Sequence, residues 1–135
     1  MRILAIDLGE VRSGLAVGEK TTGTIQPIRV VEERDPARRL SRMQEAIHEF
    51  APDVVLVGLP LNMDDTEGPQ ATAARAFAAE LASATGIEVH MQDERLTSFA
   101  ADEKLKGSDH TRAHRKKIQD ALAAAELIRD YLASP

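Results

Sequence analysis

Short continuous apolar runs alternate with polar, glycine-rich turns near the start of the chain. Ile3 to Ile6 is an apolar run too short for a helix, and it predicts a strand buried on both faces. Asp7 follows directly, and after a polar turn the stretch Gly14 to Gly18 predicts a second strand. Thr24 to Val31 predicts a third strand, which Pro27 confines to a sheet edge or a bulge.

Helical and strand patterns alternate in the middle of the chain. Asp35 followed by Pro36 predicts the start of a helix, with an N-cap and then a first-turn proline. Asp53 to Leu59 is a continuous apolar run between two prolines, and it predicts a central fourth strand parallel to the first. Pro69 opens a second helix, which Gly86 ends.

The remaining pattern predicts a half-exposed strand and a long helix. Ile87 to Gln92 alternates apolar and polar residues as a fifth strand would, and Asp93 and Glu94 follow it. The basic polar segment Ser108 to Lys117 then leads into a last helix that runs to about Ala133. The whole pattern predicts an α/β protein.

Composition narrows the class of protein. A chain of 135 residues with 43% apolar and 29% charged residues suits one globular domain spanning residues 1–135. It has no cysteine, which excludes disulfides, thiolate zinc sites and cysteine nucleophiles. The N-terminal apolar run is too short for a signal peptide, and no segment approaches the roughly 20 apolar residues of a membrane span. We expect a cytoplasmic protein with no membrane partner.

Charge is distributed unevenly along the chain. The formal net charge of −5 alone argues against a nucleic-acid partner. Residues 104–117 nevertheless carry six basic residues against one acid, a local charge of +5. The basic residues are Lys104, Lys106, Arg112, Arg115, Lys116 and Lys117. This basic patch could hold a phosphate backbone.

Three acids are expected to converge at one sheet edge. Asp7 ends the first strand, Asp93 or Glu94 ends the fifth, and Asp120 shares a helix face with two alanines small enough to permit close packing on the sheet. A turn-capping role for Asp7 and a helix-dipole role for Asp120 are the simpler alternatives. Converging carboxylates repel each other unless cations separate them, and hard oxygen ligands select Mg²⁺ or Mn²⁺. Two such ions about 4 Å apart can support phosphodiester hydrolysis.

Four stretches closely resemble blocks of the YqgF family, also called RuvX, of Holliday-junction resolvases and ribosomal RNA precursor nucleases. They are AIDLGEVRSGLAVGE, VVLVGLPLNMDDTEGP, DERLTS and RKKIQDALAAAELIRDYL, and the resemblance covers nearly the whole chain. The order of predicted elements is that of the RNase H-like fold, with a five-stranded mixed sheet in the order 3-2-1-4-5 flanked by helices.

The resemblance implies a metal triad of Asp7, Glu94 and Asp120, with Asp93 as the competing acid after the fifth strand. In this hypothesis Asp7 contacts two Mg²⁺ or Mn²⁺ ions, Glu94 and Asp120 hold one each, and a water attacks the phosphorus in line. Many related nucleases place their second acid at the end of the fourth strand. This chain has Gly58, Leu59 and Pro60 there, so the acid after the fifth strand would substitute, and Asp64 is a further alternative.

The expected partner is structured nucleic acid, either a four-way DNA junction or a ribosomal RNA precursor. Symmetric junction cleavage would call for a homodimer. The candidate nucleic-acid contacts are Arg12, Asn62, Arg95, Lys104, Lys106, Arg112, Arg115, Lys116 and Lys117.

Two other functions compete with the nuclease. One is a non-catalytic nucleic-acid-binding domain. The other is a nucleotide-binding domain of the actin-like or sugar-kinase type, which the IDLG stretch and the following turn also resemble. That class uses a second domain to close over its nucleotide, which a chain of this length is not expected to supply.

Overall fold

The computed structural model describes residues 1–94 and 112–133, and of residues 112–118 it describes the backbone only. Within these residues the elements are β1 (Arg2–Asp7), β2 (Arg12–Glu19), β3 (Ile25–Glu32), α1 (Pro36–Phe50), β4 (Val54–Leu59), α2 (Pro69–Thr85), β5 (Glu88–Asp93) and α3 (Arg112–Ala133). The strands form one sheet in the order β3-β2-β1-β4-β5. The predicted RNase H-like strand order is therefore confirmed.

Strands β1 and β4 form the centre of the sheet. They run parallel, with Ile3 opposite Val54 and Ile6 opposite Val57. Residues 3–6 are fully buried and every residue of β4 is buried. Burying each large apolar side chain in this way stabilises the folded state by roughly 1.5–3 kcal/mol. The two continuous apolar runs in the sequence are thus the core strands, as predicted.

Helices cover both faces of the sheet. Leu4, Ile6 and Val57 belong to the apolar core beneath α1 and α2, whereas Ile3 and Ala5 belong to the core beneath α3. Successive side chains of a strand point to opposite faces. Asp7, two residues after Ala5, therefore lies on the α3 face at the end of β1.

Glycines of β2 allow α3 to pack with its backbone close to the sheet. A Cβ atom at residue 14 would lie 2.0 Å from the carbonyl oxygen of Asp120, and one at residue 18 would lie 2.7 Å from Cγ2 of Ile128. Gly14 is also the residue directly opposite Asp7 in the antiparallel pair of β1 and β2. This close approach places the Asp120 backbone over Gly14, next to Asp7 in the sheet.

The predicted start of α1 and the predicted start and stop of α2 are confirmed. Asp35 is the N-cap of α1, and its side chain accepts a hydrogen bond of 3.0 Å from the backbone N–H of Arg38. Helix α2 begins at Pro69 and ends at Gly86, whose φ of 71° is a left-handed conformation that glycine adopts without strain. The predicted place of Pro27 on an edge strand is also observed.

Two predicted boundaries were wrong. Helix α3 begins at Arg112, inside the segment expected to lead into it, because Arg and Lys are good helix formers and basic character does not mark a helix end. Strand β2 begins at Arg12 rather than Gly14, since the polar start of the strand pairs with β3, Arg12 opposite Glu32. None of the helices among residues 1–94 and 112–133 is long and apolar enough to cross a bilayer.

Candidate active site

Asp7 is the last residue of β1 and lies partly buried at the edge of the sheet. The turn that follows is closed by Ser13, whose hydroxyl accepts a hydrogen bond of 3.3 Å from the backbone N–H of Gly9. The Asp7 carboxylate instead accepts a hydrogen bond from the Glu94 side chain. Burial raises the pKa of Asp7, and the hydrogen bond from Glu94 partly offsets this rise. A turn cap is therefore supplied by Ser13, and Asp7 pairs with a second acid.

Glu94 reaches Asp7 across a strand that lies between them. It follows the end of β5, and β4 separates β5 from β1. Its backbone N–H donates a 3.3 Å hydrogen bond to the carbonyl oxygen of Leu59, which fixes the chain beside the end of β4. A Cβ atom at residue 58 would lie 2.1 Å from the Oε2 atom of Glu94. Gly58 thus provides the space through which the Glu94 carboxyl group passes over β4.

The two carboxyl groups share one proton. The pKa of Glu94 is raised to about 9, first by burial, then by the negative charge of Asp7 and by the hydrogen bond to it, with a smaller contribution from the charge of Asp93. At neutral pH Glu94 is therefore protonated and donates its O–H to the Asp7 carboxylate. Two buried acids stay close together here because a proton neutralises one of them.

Asp93, the alternative acid after the fifth strand, has a different environment. It is the last residue of β5, lies opposite Leu59, and is exposed to solvent. Glu94, one residue later, is partly buried and is the acid bonded to Asp7. The geometry therefore joins Glu94, rather than Asp93, to the end of β1.

Asp120 is held beside this pair by α3. Its backbone packs against Gly14, and its side chain forms an ion pair with Arg12, with Nε of Arg12 3.4 Å from Oδ2 of Asp120. The Arg12 side chain is 27% exposed and that of Asp120 is 23% exposed. A residue expected to contact nucleic acid is thus paired with a residue expected to hold a metal ion.

The donor set suits a hard divalent cation, although its members are not all turned to one point. Among the described side chains, no group of three His, Asp or Glu residues is close enough to hold a metal ion. Asp7 and Glu94 bond to each other, and Asp120 bonds to Arg12. A shared proton offsets the repulsion within the Asp7–Glu94 pair, and a guanidinium lies against Asp120. Carboxylate oxygens are the ligands that Mg²⁺ and Mn²⁺ prefer, so the residues present fit such an ion.

Asp64, the other alternative metal ligand, forms its hydrogen bonds within its own loop. Its carboxylate accepts hydrogen bonds from the backbone N–H of Thr66 at 3.1 Å and from the Thr66 hydroxyl at 2.6 Å. These bonds hold the pKa of the Asp64 carboxyl below its usual value. The structure does not bring Asp64 into contact with the carboxyl pair.

The predicted nucleic-acid contacts fall into three groups. Arg12 is paired with Asp120, and Asn62 is exposed, with its amide donating a 2.9 Å hydrogen bond to the hydroxyl of Thr66. Arg95, Lys104 and Lys106 lie outside the described residues. Four further residues lie in the first turns of α3, in the part described by its backbone only: Arg112, Arg115, Lys116 and Lys117. That part of the helix precedes Asp120 by less than three turns.

Sequence reasoning missed the two glycines that build the site. Gly58 interrupts an otherwise apolar core strand, and Gly14 begins the apolar part of β2. A glycine inside a strand often marks a place where another group approaches closely, and that signal was present at both positions. The pairing of Arg12 with Asp120 left no such signal, because the two residues are more than 100 positions apart in sequence.

The chain is similar to proteins of one family along nearly all of its length. A family model described as "RuvX: Holliday junction resolvase" matches residues 1–134. A protein of Anaeromyxobacter sp. (strain K) with the name "Putative pre-16S rRNA nuclease" is 41% identical over 132 residues, which is 98% of this chain and 96% of that protein.

Solved structures share the fold at low sequence identity. RuvC of T. thermophilus, in a complex with a Holliday junction substrate, has a TM-score of 0.62 and 21% identity, covering 97% of this chain and 94% of that one. The fowlpox virus Holliday junction resolvase has a TM-score of 0.65 and 16% identity, and the likeness covers all of both chains. These likenesses show the fold, which is that of RuvC-type, RNase H-like resolvases.

Proposed function

This chain belongs to the RuvX family, and we propose that it is a metal-dependent nuclease that hydrolyses phosphodiester bonds in structured nucleic acid. The name of the 41% identical relative favours the precursor of 16S ribosomal RNA as the substrate. A four-way DNA junction is the second candidate, which the description of the family model favours. Family membership also favours a nuclease over the nucleotide-binding domain considered from the sequence.

The observation that carries this proposal is the hydrogen bond between the carboxyl groups of Asp7 and Glu94. Burying two acids side by side is costly, and a protein that only binds nucleic acid gains nothing from acids beside the phosphates. A divalent cation bound by both carboxylates would offset this cost, because its charge removes their repulsion. The carboxyl pair therefore supports catalysis over binding alone.

We assign the candidate ligands as follows. Asp7 and Glu94 would hold the ion from β1 and β5, and Asp120 would contribute from α3. When bound, Mg²⁺ or Mn²⁺ would offset the negative charge that develops on the phosphate and leaving-group oxygens, and a second ion would add to that stabilisation.

The chain's own residues set the conditions for that chemistry. To hold an ion, Glu94 would have to release to solvent the proton that it shares with Asp7, and Gly58 keeps the passage over β4 open for its carboxyl group. Helix α3 fixes the Asp120 backbone on Gly14, the residue of β2 that pairs with Asp7, so the third acid stays beside the end of β1. Basic residues in the first turns of α3, among them Arg115 and Lys116, would contact the substrate backbone beside the site.

Two further properties follow for this proposal. A four-way junction cut symmetrically needs two active sites, so junction activity would require a homodimer. Maturation of ribosomal RNA would require neither symmetry nor two sites, and it would place the protein in the cytoplasm.

The test is parallel cleavage of two labelled substrates, a 5′-extended 16S ribosomal RNA precursor and a synthetic four-way DNA junction, in Mg²⁺ and in Mn²⁺. Wild type is compared with Asp120→Asn, and Asp53→Asn, an exposed acid at the opposite end of β4, is the matched control. We expect wild type and Asp53→Asn to trim the RNA, and Asp120→Asn to lose this activity. Paired nicks in the junction alone would favour the second candidate, and no cleavage of either substrate would overturn the nuclease proposal.

A further inference from the structure

Arg12 forms an ion pair with one acid of the candidate active site. Its guanidinium Nε lies 3.4 Å from Oδ2 of Asp120, and Asp120 is the one member of the proposed triad that does not belong to the Asp7–Glu94 pair. Arg12 therefore brings a positive charge against the Asp120 carboxylate. Resting on the function proposed above, we infer that Arg12 is a displaceable stand-in for the metal ion, which must leave Asp120 before that carboxylate can bind the metal.

The length of the Arg12–Asp120 contact makes it easy to displace. Strong charge-assisted hydrogen bonds between nitrogen and a carboxylate are about 2.7–2.9 Å long. The contact here is 3.4 Å long, and both side chains are about a quarter exposed to solvent. Partly exposed pairs of this kind are screened by water and contribute little to stability. A compact divalent cation held by several carboxylates can therefore compete with the guanidinium for Asp120.

A second carboxylate lies beside Arg12 in the fold. Arg12 lies directly opposite Glu32 in the pair of β2 and β3. Directly opposite residues share one face of the sheet, with Cβ atoms about 4.5–5.5 Å apart. Glu32 is exposed at the edge strand, so a guanidinium released from Asp120 can remain at the mouth of the site. There its charge is available to a phosphate of the substrate.

The backbone around Arg12 does not have to move for this exchange. Arg12 is the first residue of β2, and the backbone of Asp120 is fixed against Gly14 two positions later. Both ends of the ion pair are therefore attached to packed backbone, and only the side chains rotate. Arg12 acts as a positioning residue that sets how readily the site accepts its metal.

The test measures Mn²⁺ binding to the full-length protein by electron paramagnetic resonance of free Mn²⁺, without nucleic acid. Arg12→Gln is compared with wild type, and Arg12→Met is a second variant that keeps the aliphatic stem while removing the charge. Arg29→Gln is the matched control. Arg29 lies on the edge strand β3 and forms a 2.6 Å ion pair with Glu49 of α1. Circular dichroism confirms that each variant is folded.

Both Arg12 variants are expected to bind Mn²⁺ about threefold to tenfold more tightly than wild type, since they remove a competing cation from Asp120. Arg29→Gln should stay within about twofold of wild type, which reports the general effect of losing one positive charge. Arg12→Lys should restore affinity close to that of wild type.

Unchanged or weaker Mn²⁺ binding in Arg12→Gln and Arg12→Met, with normal binding by wild type, would overturn this inference and leave the nuclease proposal intact. An equal gain in Arg29→Gln would also overturn it, because the effect would then be one of net charge. Absence of Mn²⁺ binding in wild type and in all variants would overturn the inference together with the metal site of the proposed nuclease.

Discussion

The carboxyl group of Glu94 lies in the space where Gly58 has no side chain, with Oε2 only 2.1 Å from the position that a Cβ atom would take. This relationship explains how an acid from β5 reaches Asp7 on β1 although β4 separates the two strands. Many of the related nucleases considered from the sequence carry their second acid at the end of the fourth strand. In this chain Gly58 of β4 leaves room for an acid that follows β5, Glu94.

Gly58→Ala should therefore inactivate the enzyme without unfolding it. The new methyl group would meet the end of a flexible side chain, so Glu94 would swing away from Asp7 while the strand keeps its pairing. Misplacing a catalytic group by about 1 Å can cost about a hundredfold in rate, and we expect a loss of that order. The rate of substrate cleavage is the measurement.

Gly68→Ala is the matched control for this variant, since a Cβ atom there would meet only the Asn62 side chain at an ordinary distance of 3.6 Å. It should cleave at nearly the wild-type rate. Wild-type activity in Gly58→Ala would show that Glu94 does not act from the position observed.

Glu94→Gln should make the protein less sensitive to alkaline pH when a chelator is present. The pKa of Glu94 is raised from 4.5 to about 9 in the folded protein, chiefly by burial. Between these two values the folded state keeps a proton that the unfolded state has lost, so the stability of wild type falls as pH rises from about 4.5 to about 9. The amide has no proton to lose and can still donate to Asp7.

The measurement is the melting temperature between pH 5 and pH 9 by differential scanning calorimetry. We expect Glu94→Gln to melt higher than wild type at pH 8, with a smaller decline across the range. Glu49→Gln, which changes an exposed acid far from the site, should keep the wild-type slope. A decline in Glu94→Gln as steep as that of wild type would mean that the proton is not held at residue 94.

Gly14→Ala should destabilise the protein strongly. A methyl group there would lie 2.0 Å from the carbonyl oxygen of Asp120 and 2.9 Å from the backbone nitrogen of Ala121, so the backbone of α3 would have to move. Overpacking of this kind costs about 1–3 kcal/mol, and we expect the upper end of that range because backbone cannot rotate away. Urea denaturation measures the free energy of unfolding.

Gly18→Ala is the comparison for this variant. The nearest atom at residue 18 is the Cγ2 methyl of Ile128 at 2.7 Å, which belongs to a side chain and can shift. Its cost should be clearly smaller than that of Gly14→Ala. Equal costs at the two positions would contradict the close approach of α3 at Asp120.

The sequence was sufficient for the fold because its strongest signals are local. The runs at residues 3–6 and 54–59 are continuous and apolar, so burial on both faces follows directly from them, and the caps at Asp35 and Gly86 follow from local backbone chemistry. The boundary at Arg112 was missed because helix propensity and charge pattern gave opposite indications there.

The site was only partly predictable because its contacts are distant in sequence. Strand ends locate Asp7 and the pair Asp93 and Glu94, but a pattern of residues cannot say which acid crosses β4. That choice depends on the side-chain space above Gly58. The ion pair of Arg12 with Asp120 likewise depends on how α3 lies across β2, which periodicity does not determine.

The most direct test of the central claim is cleavage of a 5′-extended 16S ribosomal RNA precursor and of a four-way DNA junction by Asp7→Asn in saturating Mn²⁺, beside wild type at equal concentration. Asn keeps the size of the side chain, and its amide oxygen can still accept the Glu94 hydrogen bond, but it removes the negative charge that the proposed metal requires. We predict that Asp7→Asn is folded and lowers cleavage by at least about a thousandfold, corresponding to roughly 4 kcal/mol of lost transition-state stabilisation. Undiminished cleavage by this variant would contradict the assignment of the carboxyl pair as the catalytic centre.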